Sequence, residues 1–434
     1  FNQSFKATYT LPINKLPFMD WISTSVQYQG DYTWTAAPLY KDSLGEYSEH
    51  PYGNNIENNR TISVNVNGNM TNLYNKVPYL KDLNKSSQRP PSNVRNPAIT
   101  DGESDSTDTD EDKTPIAKIV MDNFLRLLMM TRNISLSYTL AEGTILPGFR
   151  GKPTVMGMDL DNQAPGWGFV FGDQSDIRQS MVEKGLISTD TMLNNAFMTR
   201  RNENLNARVS LEPANGFRIE VTAMRNYSIN HTEYFRYDGS SGFKSYSPLD
   251  NGSFSMSIIT WKSAFVGDNE DYSNNTFLEF MNSRPEVASL VASQSPVWDG
   301  SYFTDSITGQ QYPTGYGPTS QEVLIPAFLA AYTGGGINKF TKTSFPKIPL
   351  PNWRITYNGL TKIPWFKKRF KSFTVSHAYR STYNIGGFTT NVLFSDEDQD
   401  GYTFVQDAMN NFLPKYEIAQ VSITEQYSPL HNLD

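Results

Sequence analysis

The chain has 434 residues, no cysteine and a formal net charge of −7, with 19% charged and 13% aromatic residues. The lack of cysteine excludes disulfides and thiolate chemistry, and mild acidity without a basic stripe argues against a nucleic-acid partner. No run of about 18 apolar residues occurs, so no transmembrane helix is expected, although membrane-spanning strands would show only alternation.

Strict two-residue alternation of apolar and polar residues predicts about ten β-strands. In the clearest run, from Ile22 to Trp34, apolar residues occupy most even positions and polar residues the odd ones. Two other runs predict a hairpin, because the Asn215-Gly216 step supplies the positive φ of a tight turn. Runs of 11 or more residues suit a tilted membrane crossing. The predicted strands cover residues 5–11, 22–34, 62–71, 133–140, 205–212, 217–230, 253–265, 353–360, 373–385 and 419–423.

Helices are predicted between the strands, over residues 115–130, 275–293 and 320–332. The first starts at Pro115, a favourable first-turn residue, and follows the acidic run 101–112, which we interpret as solvated. The predicted organisation is barrel strands and a loop in 1–75, an insertion with the acidic run and a helix in 76–131, barrel strands with a long loop 141–203 in 132–265, a helical insertion in 266–350, and barrel strands with an acidic loop 395–412 in 351–434.

A six-residue pattern of polar, Lys, aliphatic, Pro, aromatic and apolar residues starts at Asn14, Asn75 and Thr361. Proline cannot sit in the middle of a sheet, and Lys with an aromatic residue suits a turn at a membrane–water interface. We therefore predict turns on one rim of a barrel, with ordinary soluble turns as the alternative. A shared rim requires an even number of crossings between Asn75 and Thr361, but the patterns give five. Either one predicted strand does not cross, a strand is missing, or the copies do not share a rim.

The polar positions of the alternating runs carry mostly Ser, Thr, Asn and Gln rather than Lys and Glu. Such small neutral side chains suit the wall of a water-filled lumen and cannot fill a closed barrel of about ten strands. Because unpaired strand edges are not tolerated in hydrocarbon, further strands must come from more of the chain or from a partner. The predicted fold class is all-β: an arc of a very large antiparallel transmembrane β-barrel with long helix-containing loop insertions. The apolar positions of Ile22–Trp34 should then face hydrocarbon.

The acidic loop 395–412 begins like a calcium-binding loop, with carboxylates at positions 1, 3 and 5 and Gly at position 6. A carbonyl at position 7 and a carboxylate at position 12 would complete the set of hard oxygen ligands for Ca²⁺. Position 12 is Asp rather than Glu and a strand precedes the loop, so a solvated acidic loop is the alternative. The candidate ligands are Asp396, Asp398, Asp400, the Tyr402 carbonyl and Asp407.

No catalytic residues are predicted. The four histidines, His50, His231, His377 and His431, have no metal-ligand spacing, and no nucleophile motif or phosphate-binding loop occurs in a usable context. An enzymatic function therefore has the least support.

The stretches LPGFRGKPTVMGMDLDNQAPGWGFVFG (146–172), FLAAYTGGG (328–336), IPLPNWRITYNGL (348–360) and FKSFTVSHAYRSTYNIGGF (370–388) resemble the SprA/Sov family, the outer-membrane translocons of the type IX secretion system of Bacteroidota. The resemblance covers most of the chain and is most specific over 348–388. Since members of that family are several times longer, the chain is expected to be a portion toward the C-terminus.

The resemblance implies a giant barrel in the bacterial outer membrane that exports folded proteins to the cell surface. The expected partners are outer-membrane lipid, a PorV-like shuttle barrel, a periplasmic plug protein and the secreted passengers. Two other functions stay open from the residues alone: a TonB-dependent nutrient transporter, and a β-rich surface adhesin that would show charged outward faces.

Overall fold

The fold of the computed structural model is mostly antiparallel β-sheet. The described residues are 1–41, 47–48, 50–88, 121, 125, 128–337, 343–396, 400–428 and 432–433. The strands are β1 (Asn2–Leu11), β2 (Ile22–Thr35), β3 (Tyr40–Lys41), β4 (Tyr47–Ser48), β5 (Asn54–Asn69), β6 (Thr131–Phe149), β7 (Phe197–Ala214), β8 (Phe217–Tyr237), β9 (Phe243–Ser257), β10 (Tyr302–Thr304), β11 (Gln311–Pro313), β12 (Asn352–Tyr357), β13 (Val375–Thr390), β14 (Tyr416–Tyr427) and β15 (Asn432–Leu433).

Helices lie in the segments between these strands. They are α1 (Met70–Tyr74), α2 (Pro78–Gln88), α3 (Trp167–Val170), α4 (Arg178–Glu183), α5 (Asn275–Ala292), α6 (Gln321–Thr333) and α7 (Pro364–Arg369), with 3₁₀ turns at Pro12–Lys15 and Gly359–Lys362. The predicted helices at 275–293 and 320–332 correspond to α5 and α6. The predicted acidic run and most of the 115–130 helix lie outside the described residues.

The main sheet has eleven described strands, in the order β1-β2-β5-β6-β7-β8, then a position shared by β9 and β12, then β13 and β14. Every ladder in this sheet is antiparallel, so neighbouring strands run up and down in turn. We call the ends at Leu11, Ile22 and Asn69 the lower edge and the opposite ends the upper edge. Strand β6 runs on to Phe149, so the segment predicted as loop 141–203 is shorter and covers 150–196 (insertion 1).

Strands β9 and β12 share one position between β8 and β13. Met256 of β9 pairs with Arg225, and Asn352 of β12 pairs with Thr222 further down the same strand. Residues 258–350 (insertion 2) leave the sheet between them. Of the three explanations for the odd number of crossings, the first applies: 253–265 is not a separate crossing, because β9 and β12 together make one. Four crossings, an even number, then separate Asn75 from Thr361.

The register assigns each alternating residue to one of two faces. Val26, Val64, Tyr138 and Leu205 are aligned across β2, β5, β6 and β7, and we call their side the apolar face. The intervening residues form the polar face. Because side chains alternate with a period of two, a single register holds the apolar residues of all these strands on one side.

Both insertions pack on the upper part of the apolar face. Insertion 1 forms one buried cluster with sheet residues that include Tyr32, Ile56 and Leu146. Insertion 2 forms another through α6, where Leu329 packs near Tyr383 and other residues of β9 and β13. Two hydrophobic cores thus lie between the sheet and its insertions, while another is formed within insertion 2 and a small one lies around α1 and α2.

This packing corrects one expectation about the Ile22–Trp34 run. In its upper half Tyr32 is fully buried, Trp34 Nε1 donates to the Gly151 carbonyl at 3.1 Å, and the Tyr28 hydroxyl donates to the Phe171 carbonyl. The upper half cannot face hydrocarbon, because insertion 1 brings its own apolar residues to cover it. Only the lower half, which includes Ile22 and Val26, remains uncovered by the insertion.

Candidate functional site

The lower part of the apolar face carries a band of uncharged residues, four positions high, on each of four adjacent strands. Ile134 and Leu136 in this band are 39% and 41% exposed, which is unusual for neighbouring aliphatic residues of a soluble protein. From the lower edge upward the band contains Gly68, Val66, Val64 and Ile62 of β5, Ile134, Leu136, Tyr138 and Leu140 of β6, Leu211, Val209, Ala207 and Leu205 of β7, and Phe217, Ile219, Val221 and Ala223 of β8.

The next position above the band on each strand is charged, and these charges form one connected ladder. Arg60 contacts Glu142 at 2.5 Å, Glu142 contacts Arg201 at 3.5 Å, Arg201 contacts Glu203 at 2.7 Å, and Glu203 contacts Arg225 at 3.0 Å. Each carboxylate lies between two guanidinium groups, so three arginines and two glutamates alternate along a line that crosses β5, β6, β7 and β8. We call this line the ionic ladder.

The ionic ladder is oblique to the strands. Arg60, Glu142 and Arg201 are on one register line that reaches β8 at Ile229, but the ladder meets β8 at Arg225. From β5 to β8 the ladder thus drops by four residues, about 13 Å, while it crosses three strand spacings of about 4.8 Å each. The ladder is therefore inclined by about 43° to the direction perpendicular to the strands. Strands of transmembrane barrels tilt by roughly 35–45° from the membrane normal. This inclination of the ladder falls within that range.

Insertion 2 contacts the end of the ladder. Arg225 Nε donates to the Pro346 carbonyl of insertion 2 at 3.1 Å. Three strand positions further on, Glu425 of β14 lies two residues below the register of Arg225, and its carboxylate accepts hydrogen bonds from Tyr379 at 2.7 Å and from Thr260 at 2.9 Å. On β5 to β8 the charges of the ladder therefore lie above the uncharged band, whereas insertion 2 extends lower on β12 and β14, where Trp261 contacts Trp353 and Phe265 contacts Tyr427.

The polar face is lined by small neutral side chains over several strands. Across β5 to β7 these include Asn65, Ser137 and Asn206, and the Ser137 hydroxyl donates to Asn65 Oδ1 at 2.8 Å. A groove of about 610 Å³ lies on this side and is lined by residues from β5 to β8, β12 and β13. The polar side of the sheet therefore carries an open groove with mostly uncharged walls.

The three copies of the repeated hexamer lie at the lower edge and share one backbone geometry. In each, the aliphatic residue before Pro donates its N–H to the carbonyl three residues earlier, at 3.0 Å for Leu16, 3.3 Å for Val77 and 3.0 Å for Ile363. Its own carbonyl then accepts an N–H from three or four residues later. We call these segments knees (14–19, 75–80 and 361–366).

Each knee exposes its aromatic residue: Phe18 is 74%, Tyr79 46% and Trp365 55% exposed. A lysine precedes each one in sequence, and in the second knee Lys76 lies 5.5 Å from the Phe18 ring centroid. The three copies thus lie at one edge of the sheet, and the rim of a barrel stays a prediction. Exposed aromatic and lysine side chains at one level are typical of a membrane–water interface.

Two of the predicted calcium ligands accept backbone hydrogen bonds within turns. The Asp396 carboxylate accepts the N–H groups of Asp400 at 3.1 Å and Gly401 at 2.9 Å, and Asp407 Oδ1 accepts the N–H groups of Met409 and Asn411. Tyr402 reaches insertion 2 by donating to the Gln294 carbonyl at 3.2 Å.

Asp398 lies outside the described residues, as does His431. Among the residues that are described, no group of three or more His, Cys, Asp or Glu could hold a metal ion. The calcium site therefore stays a prediction, and the described part of the loop supplies a docking contact to insertion 2.

The ionic ladder is the feature that the sequence analysis missed. Its signal was present, because Arg60, Glu142, Glu203 and Arg225 each lie eight residues from the lowest band residue of their strand, which is Gly68, Ile134, Leu211 or Phe217. Comparison with protein-family models finds no match to this chain, and comparison with curated proteins also finds none. Within the described ranges, none of the helices has the length and apolar character needed to span a membrane.

Proposed function

We propose that this chain forms an arc of the wall of a large outer-membrane β-barrel that conducts proteins. The observation that carries the proposal is the oblique boundary on the apolar face. A soluble sheet has no reason to keep four uncharged positions below a line of charges on each of four adjacent strands. A bilayer imposes such a line because charges are costly in hydrocarbon.

The dimensions of the band agree with this proposal. From Phe217 to Arg225 the strand advances eight residues, about 26 Å, which a tilt of about 43° reduces to about 20 Å along the membrane normal. Outer-membrane barrels have an apolar band about 25 Å tall. The knees then lie at the lower interface, and the ionic ladder with both insertions lies outside the hydrocarbon.

In this proposal the polar face lines the lumen. Small neutral side chains bind a passing polypeptide weakly, so the wall acts by steric confinement and hydration rather than by specific recognition over most of its area. Insertions 1 and 2 would lie on the outside of the wall above the membrane.

The resemblance to the SprA/Sov translocons extends the proposal to partners. It adds a PorV-like shuttle barrel, a periplasmic plug protein, and folded passengers delivered to the cell surface. Outer-membrane lipid is the partner of the uncovered band.

Single cysteines at paired positions test which face meets lipid. The 434 residues contain no cysteine, so each variant carries one thiol in this chain. Asn206→Cys and Thr222→Cys on the polar face should react with a charged, water-soluble thiol reagent in intact membranes. Ala207→Cys and Val221→Cys on the apolar face should resist that reagent, and a bimane attached there should be quenched by brominated lipid. Equal aqueous labelling of residues 206 and 207 would refute the proposal.

A second measurement tests conduction of proteins. A bulky soluble adduct on Asn206→Cys should reduce the appearance of passengers at the cell surface, whereas the same adduct attached to Asp238→Cys, in the upper-edge turn, should not. If export is unchanged and uptake of a nutrient falls instead, the barrel is a nutrient transporter.

A further inference from the structure

The groove on the polar face contains a cluster of basic side chains. Arg208, Arg354 and Arg380 line it together with neutral residues of neighbouring strands. All three side chains are exposed, and among the described residues none of them has a carboxylate partner. The carboxylate that lines the same groove, Glu220, is bound by Arg218 at 2.8 Å. Glu220 is the register partner of Arg354, so the groove carries three arginines against one carboxylate that Arg218 also binds.

The register sets the spacing of this cluster. Arg208 pairs with Thr222, and Thr222 pairs with Asn352. Because Trp353 pairs with Tyr379 in an antiparallel ladder, the next residue, Arg380, is opposite Asn352. Arg208 and Arg380 are thus on one register line, three strand spacings or about 14 Å apart. Arg354 is two residues below that line, on the strand beside Arg380. An extended peptide covers about 13 Å in four residues, whereas one small anion cannot reach both ends.

We infer that this groove binds acidic segments of polypeptide, with carboxylates of an extended chain contacting the three arginines. Guanidinium groups pair with carboxylates through two parallel hydrogen bonds, which favours arginine over lysine for this task. The ligand class follows from the groove itself. That such a segment belongs to an exported passenger rests on the proposed function.

Binding of a fluorescent ten-residue glutamate peptide to the purified full-length protein in detergent tests this inference. The wild type should bind it saturably, and higher salt should weaken binding. Changing Arg208, Arg354 and Arg380 together to Gln should weaken binding about tenfold or more, since three exposed charge pairs contribute modestly but together. A ten-residue lysine peptide should not bind.

The matched single variants are Arg354→Gln and Arg200→Gln. Both residues are on the polar face, but Arg200 is near the upper edge and is already bonded to Asn59 and Glu57. Only Arg354→Gln should weaken peptide binding. Unchanged binding in the triple variant would overturn the inference, as would equal competition by inorganic sulfate at matched ionic strength, which would indicate a small-anion site. The assay needs no membrane, so its failure is separate from a failure of the cysteine-labelling test.

Discussion

An arginine placed in the middle of the uncovered band should destabilise the membrane-inserted protein strongly. Ala207 is the position to change, because it is small, lies on the apolar face and pairs with Ala223 and Leu136. It is four residues below Glu203 and four above Leu211, so with the same tilt it lies about 10 Å from either limit of the band. Replacing alanine avoids a cavity, so the introduced charge dominates the effect.

At mid-depth an outward arginine costs roughly 2–4 kcal/mol of the free energy of unfolding from the bilayer. The control is Asn206→Arg, the adjacent residue on the polar face, which should cost less than about 0.5 kcal/mol, as for most surface substitutions. Urea titration of protein in lipid vesicles, followed by tryptophan fluorescence, measures both. A difference below about 0.5 kcal/mol between the two variants would refute a lipid-facing band. Leu211→Arg, at the lower limit, should show an intermediate cost.

Three further predictions concern the ladder, the knees and insertion 2. Glu203→Gln leaves Arg201 and Arg225 without their shared carboxylate and should lower the free energy of unfolding by about 1–3 kcal/mol in thermal unfolding. A decrease no larger than that caused by the exposed control Glu183→Gln would contradict the ladder. Trp365→Ser should lower the melting temperature in vesicles more than in detergent, and equal shifts would argue against an interfacial knee. Burial raises the pKa of Glu322 from 4.5 to about 7, so the stability it contributes is fully present below pH 4.5 and is lost as pH rises through about 7. Glu322→Gln should remove this part of the pH dependence of unfolding between pH 5 and 8, and an unchanged slope would exclude Glu322 as its source.

The strands could be predicted from sequence because alternation is a local pattern. Val64 and Leu136 are recognisable as members of the same kind of face without any knowledge of which strands are neighbours. The edge shared by the knees could also be predicted, because each knee adjoins a strand end.

The ladder and the shared position of β9 and β12 could not be predicted in this way. Both depend on cross-strand register, which a single sequence does not state. Glu203 and Arg225 are 22 residues apart in the chain and meet only after β7 and β8 pair. Likewise, β9 fills only the upper part of its position in the sheet, and this is recognisable only once Asn352 is seen to start β12 below it. The predicted strands were too short where polar residues such as Arg60 and Glu142 interrupted the alternation inside a strand that continues.

The junction around insertion 2 shows how a long segment can be inserted into a strand without disturbing the sheet. Ser257 pairs with Thr382 and Asn352 with Thr222, so joining Ser257 directly to Pro351 would restore a continuous strand with no slip in its pairing. The two ends already touch, since the Leu350 N–H donates to the Ser257 carbonyl at 2.9 Å. Insertion 2 therefore interrupts one strand position without shifting the register of its neighbours, so a long segment can be gained or lost there while the rest of the sheet keeps its pairing.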